Sequence, residues 1–220
     1  MVSKGKLYVL DGLDGSGKTT QLRLLDESLK QKGKDYRLIS FPDYAQPSSA
    51  PVKQYLEGAF GGAREVNAYA ASSFYAVDRW ANFQRCWRRD YENGIPIVAA
   101  RYTTSNAIHQ MSKLPEPEWD GYLHWLADYE YGRLRLPRPG AVLFLDMPLD
   151  LAQRLLTARY GGKEEKKDIH ESDPGYLAVC RRAALYTAAQ EGWYVISCAE
   201  GDAPRAAAAI AADIERILRL

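Results

Sequence analysis

Gly12, Leu13, Asp14, Gly15, Ser16, Gly17, Lys18 and Thr19, followed by Thr20, carry the strongest chemical signal in the chain. Two glycines enclose four residues, and a lysine and a hydroxyl side chain follow directly. Glycines let successive backbone N–H groups turn toward one centre, Lys18 can reach the outer phosphates of a nucleotide, and the Thr19 hydroxyl can ligand a magnesium ion. The alternative is a glycine-rich turn that binds nothing. Context favours the nucleotide: residues 6–11 form an apolar strand pattern, and Leu22, Leu24, Leu25 and Leu29 recur at helical spacing after the loop. The start of such a helix adds its dipole to the pull of the oriented amides.

Four further groupings carry chemistry. Phe41, Pro42, Asp43 and Tyr44 follow a second apolar run, where Tyr44 can bond a substrate phosphate or simply belong to a proline turn. Tyr75 and Arg79 share a helix face with Asp78 beside them, an arrangement that clamps a base or packs as an aromatic with a surface charge. Arg101, Ser105 and His109 repeat every fourth residue with Asn106 alongside, directing a guanidinium and several hydrogen-bonding groups to one cleft. Capping by Thr103 or Thr104 would explain the same helix start. Finally, Arg159, Lys163, Lys166 and Lys167 surround Gly161 and Gly162 in a polar stretch without an apolar face, either a solvated run or a basic lid over phosphates.

These groups need a scaffold. Apolar strand patterns at 6–11, 36–41, 96–100, 141–146 and 193–197 alternate with helical patterns at 51–57, 66–91, 104–111, 118–135, 149–159, 173–190 and 203–220. Alternation of this kind predicts an α/β fold with a parallel sheet covered on both faces and ligands at the carboxyl ends of the strands. Ile210, Ile214, Ile217 and Leu218 mark the last helix as a cover for the sheet. Trp80, Phe83 and Trp87 recur at helical spacing and suit a dimer seam and core packing equally.

With 220 residues, the chain suits one domain, residues 1–220. A formal charge of +1 gives no global field for gripping nucleic acid. Cys86, Cys180 and Cys198 have neither metal-ligand nor disulfide-framework spacing. No apolar run approaches the roughly 20 residues of a membrane span. These features predict a cytoplasmic protein that binds neither membrane nor nucleic acid.

In order and spacing, these motifs resemble the thymidylate kinase family, in its bacterial form with the basic residues on the lid. The resemblance rests on the run from Gly12 to Gln21, on Phe41-Pro42-Asp43-Tyr44, on Asp78-Arg79-Trp80, on Arg101 to Asn106, and on Lys167 to Glu171 in the lid position. It implies a P-loop nucleoside monophosphate kinase fold, a five-stranded parallel sheet flanked by helices, with a mobile lid near residues 159–172. It further implies transfer of the ATP γ-phosphoryl to dTMP with Mg2+, small nucleotide substrates as partners, and a homodimer. By motif position, Asp14 would meet the deoxyribose 3′-hydroxyl, Tyr75 would stack on thymine beside Phe41 and Tyr44, and Arg79 would bond the carbonyl edge. Ser105 and Asn106 would read the base, and His109 would stand near the sugar. Arg101 would hold the acceptor phosphate, Lys18 with Arg159, Lys163 and Lys167 would neutralise the donor, and Cys198 and Ala199 would contact adenine. Two rivals remain: a kinase for another nucleotide or deoxynucleoside, and a catalytically weakened nucleotide-binding module.

Two departures from the family stand out. Its third strand normally ends Asp-Arg-Tyr, whereas this chain reads Ala100-Arg101-Tyr102. A histidine at 109 replaces an aromatic residue that helps exclude a ribose hydroxyl. Loss of a carboxylate near the phosphates should slow turnover more than it weakens nucleotide binding, because phosphoryl transfer depends on positioning and electrostatics. Ala100→Asp is therefore expected to raise the rate of ADP release; an unchanged or lower rate in folded protein would reject this.

Overall fold

The computed structural model describes residues 3–62, 64–160 and 174–219. Five strands, β1 (Leu7–Gly12), β2 (Arg37–Ser40), β3 (Ile97–Ala100), β4 (Ala141–Asp146) and β5 (Tyr194–Ser197), form one sheet in the order β2-β3-β1-β4-β5. Every neighbouring pair is parallel. All six residues of β1 are buried, as a central strand covered on both faces requires. Because the chain fills β2 and β3 on one side of β1 and β4 and β5 on the other, a crevice opens at the carboxyl end of β1.

Alternation along the strands divides the core. Leu7, Val9, Ile97, Ala99 and Phe144 face one way and pack against α3 (Ala68–Asn82), α5 (Thr104–His109), α6 (Trp119–Leu126) and α8 (Pro174–Glu191). Leu10, Val98, Leu143, Leu145 and Ile196 face the other way, against α1 (Lys18–Gln31) and α9 (Ala207–Leu218). The stripe of α9 behaves as the sequence predicts, with Ile210, Ile214 and Leu218 buried. Fully burying each such side chain stabilises the fold by about 1.5–3 kcal/mol. Two further helices, α2 (Ala50–Leu56) and α7 (Leu149–Tyr160), flank the crevice.

Three helical regions differ from the sequence expectation. The region 66–91 starts at α3, where the Asn67 side chain accepts from the N–H groups of Tyr69 (2.8 Å) and Ala70 (3.3 Å). It then widens into a π turn, Phe83–Trp87, before α4 (Arg88–Glu92). In the region 118–135, α6 likewise gives way to a π turn, Ala127–Arg133. The last helix begins at Ala207 because Ala203–Pro204 (β7) pairs antiparallel with Ala199–Glu200 (β6). Arg205 fixes that corner by donating to the Ser197 carbonyl at 2.6 Å and to Asp213 at 2.8 Å.

The aromatic seam proposed from spacing divides. Phe83 and Trp87 are buried in the core, while Trp80 is 42% exposed beside Val77 at 49%. Among the described residues no helix is long and apolar enough to cross a membrane.

Candidate active site

The glycine loop leaves the end of β1 and enters α1 through Gly17, whose φ of 88° suits glycine. Gly15, at φ 80°, lies so close to α7 that a Cβ would meet the Ala152 carbonyl oxygen at 2.5 Å. Lys18 folds back along the loop, donating to the carbonyls of Gly12 (2.7 Å) and Leu13 (2.8 Å), with Asp14 at 3.7 Å. Burial, reinforced by the Arg101 charge and only partly offset by Asp14 and Asp11, pulls its ammonium down to about 8. The Ser16 hydroxyl is buried in the loop without a protein partner. An orphaned donor there suits a phosphate oxygen.

Thr19 and Thr20 are exposed at the head of α1. Among the described residues no cluster of three acidic, histidine or cysteine side chains forms a protein cage for a metal. Magnesium carried by a nucleotide needs no such cage, since phosphates and water supply most of its oxygens. The Thr19 hydroxyl therefore suits it as a protein ligand.

Beside the loop lies a cavity of about 170 Å³, several times the ~30 Å³ share of one water. Asp14, Phe41, Tyr44, Tyr75, Arg79, Arg101, Ser105, Asn106 and His109 all line it. These are the residues that the sequence assigns to the acceptor, brought together from five segments. Asp78 clamps the turn that presents Phe41 and Tyr44. It accepts from the Asp43 N–H at 2.9 Å and the Ser48 hydroxyl at 2.7 Å, while Asn82 donates to Asp43 at 2.6 Å. Tyr75 is steadied edge-on by Tyr55, with ring centres 6.2 Å apart.

Arg101 stands between cavity and loop with a φ of 62°, unusual for a non-glycine residue. Such backbone conformations cost on the order of 1–3 kcal/mol and concentrate at functional sites. Its guanidinium donates to Asp14 and lies 3.2 Å from His109 Nε2 and 3.7 Å from Asp11. Burial opposes its charge, but the two carboxylates outweigh burial and push its pKa up.

Three site residues escaped the sequence reading. Asp11, fully buried at the end of β1, accepts from the hydroxyls of Thr104 (2.6 Å) and Ser105 (2.7 Å) and from the Gly12 N–H (2.8 Å). It ties the start of the loop to the start of α5, and it commits the Ser105 proton. A carboxylate ending an apolar strand is the signal that could have found it, because a buried charge requires partners. Asp11 does not replace the carboxylate absent at 100: Ala100 is in register with Leu10 and shares the α1 face, whereas Asp11 faces α5.

Glu130 is the second, buried completely in the π turn after α6. Arg79 donates to both its oxygens, Nε to Oε2 at 2.7 Å and Nη2 to Oε1 at 2.6 Å, and Nη1 donates to the Tyr102 carbonyl at 3.2 Å. Asn106 Nδ2 also donates to Glu130 (3.0 Å) and to the Ser72 carbonyl (3.2 Å). Gln110 is the third: it lines the cavity with a buried Oε1 that lacks a protein partner.

On the donor side the structure narrows one expectation. Cys198 is fully buried, its thiol pushed up to about 12 by burial, its N–H donating to the Asp146 carbonyl and its own carbonyl accepting from Arg205. Its polar groups are thus committed to the protein, leaving Ala199 as the surface residue of that pair. Arg159 belongs to α7 by its backbone. Its side chain, together with Lys163, Lys167 and most of the proposed lid, lies outside the described residues.

A phosphate loop at the switch point of a parallel sheet, beside a cavity lined by Arg79 and Arg101, is the arrangement of a P-loop nucleoside monophosphate kinase. Residues 10–207 match the thymidylate kinase family, and the chain belongs to that family. A thymidylate kinase of Caenorhabditis elegans is 29% identical over 174 residues, 74% of this chain and 71% of that protein. One from Mycobacterium tuberculosis is 27% identical over 217 residues, 93% and 97% of the two chains. The solved thymidylate kinase of Candida albicans superimposes with a TM-score of 0.73 at 21% identity, covering all of this chain and 93% of that one, a likeness of fold.

The Asp11 contacts generate a prediction. Asp11→Asn should raise the KM for the acceptor roughly 10- to 100-fold, the loss that follows from weakening charge-assisted hydrogen bonds. ATP affinity should change far less, and a loss that falls mainly on ATP would show that Asp11 supports only the loop.

Proposed function

We propose that this chain transfers the γ-phosphoryl group of ATP to the phosphate of dTMP, giving dTDP and ADP. The observation that carries this reading is the polarity of the acceptor cavity. Arg79 offers N–H donors, while Asn106 Oδ1 and Gln110 Oε1 offer acceptors, on one wall. Thymine presents a carbonyl beside an N–H, which complements that wall. Tyr75 supplies a stacking plane and Phe41 an apolar edge.

Arg101 binds the acceptor phosphate where cavity and loop meet, and Asp14 takes the 3′-hydroxyl. No general base is required, since an acceptor phosphate oxygen is already anionic at neutral pH. Backbone N–H groups of the loop and Lys18 hold the donor phosphates. Arg159, Lys163 and Lys167 contribute charge from the lid, and Ala199 borders adenine. Magnesium held at Thr19 would neutralise charge on the donor phosphates. Two cations, Lys18 and Arg101, thus flank the path of the transferring group, which must pass nearly in line between anionic oxygens. With Ala100 in place of a carboxylate, turnover is slower than the site otherwise permits. His109 relaxes exclusion of a ribose hydroxyl.

A coupled assay of ADP release with dTMP, dUMP, dCMP, dGMP and thymidine tests the reading. Activity should be highest with dTMP and absent with thymidine, which has no phosphate for Arg101. ATP binding without ADP release for any acceptor would overturn it in favour of a binding module.

A second copy of the chain covers the outer face of α3, in this reading. Val77 and Trp80 lie one turn apart there and are large, apolar and nearly half exposed. Trp80→Lys combined with Val77→Lys should convert a dimer to a monomer in light scattering without loss of folding. A monomeric parent protein would refute the assignment.

A further inference from the structure

We propose that Glu130, which does not line the acceptor cavity, is the positioning residue that sets the base preference of this site. It does so by fixing which hydrogen-bonding groups Arg79 and Asn106 have left for a ligand. The inference rests on the reading of the acceptor as dTMP, and the experiment below separates the two.

The argument is a count of donors. Arginine has five N–H groups, all donors. Arg79 commits three of them, two to Glu130 and one to the Tyr102 carbonyl, so two remain for the cavity. Asn106 has two N–H groups, and both are committed, to Glu130 Oε1 and to the Ser72 carbonyl. Neither partner can donate, because one is a carboxylate and the other a carbonyl. The amide therefore has one permitted orientation, and only Oδ1 is left to face a ligand.

Arg79 can thus only donate and Asn106 can only accept. A carbonyl next to an N–H, the edge of thymine or uracil, satisfies both groups. Cytosine presents an amino group and a bare ring nitrogen at the same two places, so donor would meet donor and acceptor would meet acceptor. Unpaired buried groups of that kind discriminate strongly between substrates. Glu130 is the common partner of both readers, and it is itself fully buried. Its charge is essential to the arrangement. A glutamine there would replace one carboxylate oxygen with an NH2 group, whose N–H can donate to the Asn106 side-chain carbonyl and turn that amide to present donors, while one of the two acceptors that hold Arg79 is lost.

The test is Glu130→Gln, with kcat and KM determined for dTMP and dCMP at saturating ATP. The ratio of kcat/KM for dTMP over dCMP should fall at least tenfold, mostly through the dTMP KM, with the KM for ATP unchanged. Equal losses on both pyrimidines would overturn the proposal and leave Glu130 a support for the fold. A parent protein that does not prefer dTMP over dCMP would instead overturn the reading of the acceptor. Should thermal melting show that Glu130→Gln is unfolded, Glu130→Asp keeps the charge and shortens its reach. A smaller fall in the same ratio is then expected, and an unchanged ratio with weakened dTMP binding would count against the proposal.

Discussion

Charge buried next to charge is the constraint on which this structure depends. Within one crevice the chain places Lys18, Arg79 and Arg101 against Asp11, Asp14 and Glu130, most of them withdrawn from water. Removing one partner of a buried pair costs about 3–5 kcal/mol, against a total stability of about 5–15 kcal/mol for a typical domain. Each carboxylate is therefore committed by direction as well as by charge. Glu130 takes two bonds from Arg79 and one from Asn106, and Asp11 takes two hydroxyls and an N–H. The groups left over are aimed because their neighbours are fully occupied.

The sheet supplies the frame for that arrangement. Pairing β1 directly with β3 sets Leu10 beside Ala100, so the residues just beyond them, Asp11 and Arg101, emerge next to each other. The left-handed backbone at Arg101 turns the chain from β3 into α5 and brings its guanidinium back over the loop. Strain at that residue is offset by its two carboxylate partners. Donor and acceptor sites are thus joined through a single arginine that the topology places between them.

Much of this was legible in the residues themselves. The loop from Gly12 to Thr19 declares itself through spacing that backbone geometry requires, and the five strands through short apolar runs between helical patterns. The acceptor residues could be grouped because Tyr75 with Arg79, and Arg101 with Ser105 and His109, repeat at helical intervals. Glu130 could not be recognised in the same way. It sits among Asp128, Tyr129 and Tyr131 inside the helical pattern 118–135, and its partner lies 51 residues away. Trp80, Phe83 and Trp87 share one periodicity, yet Phe83 and Trp87 reach the core and Trp80 does not, and a π turn at Phe83–Trp87 interrupts the regular helix between the last two. Periodicity records which residues share a face when the helix is regular. It says nothing about where one turn is wider than the rest.

That widening has a consequence for how such a site changes over time. A π turn contains one residue more than an α-helical turn, and one residue of helix corresponds to a rotation of about 100°. Deleting a single position between Ala127 and Arg133 would rewind the segment and swing Glu130 toward a different neighbour, without touching any residue of the phosphate loop or the acceptor wall. Gain or loss of one codon in an unremarkable stretch is thus a route by which descendants of this chain can drift in substrate choice while every recognisable motif stays intact.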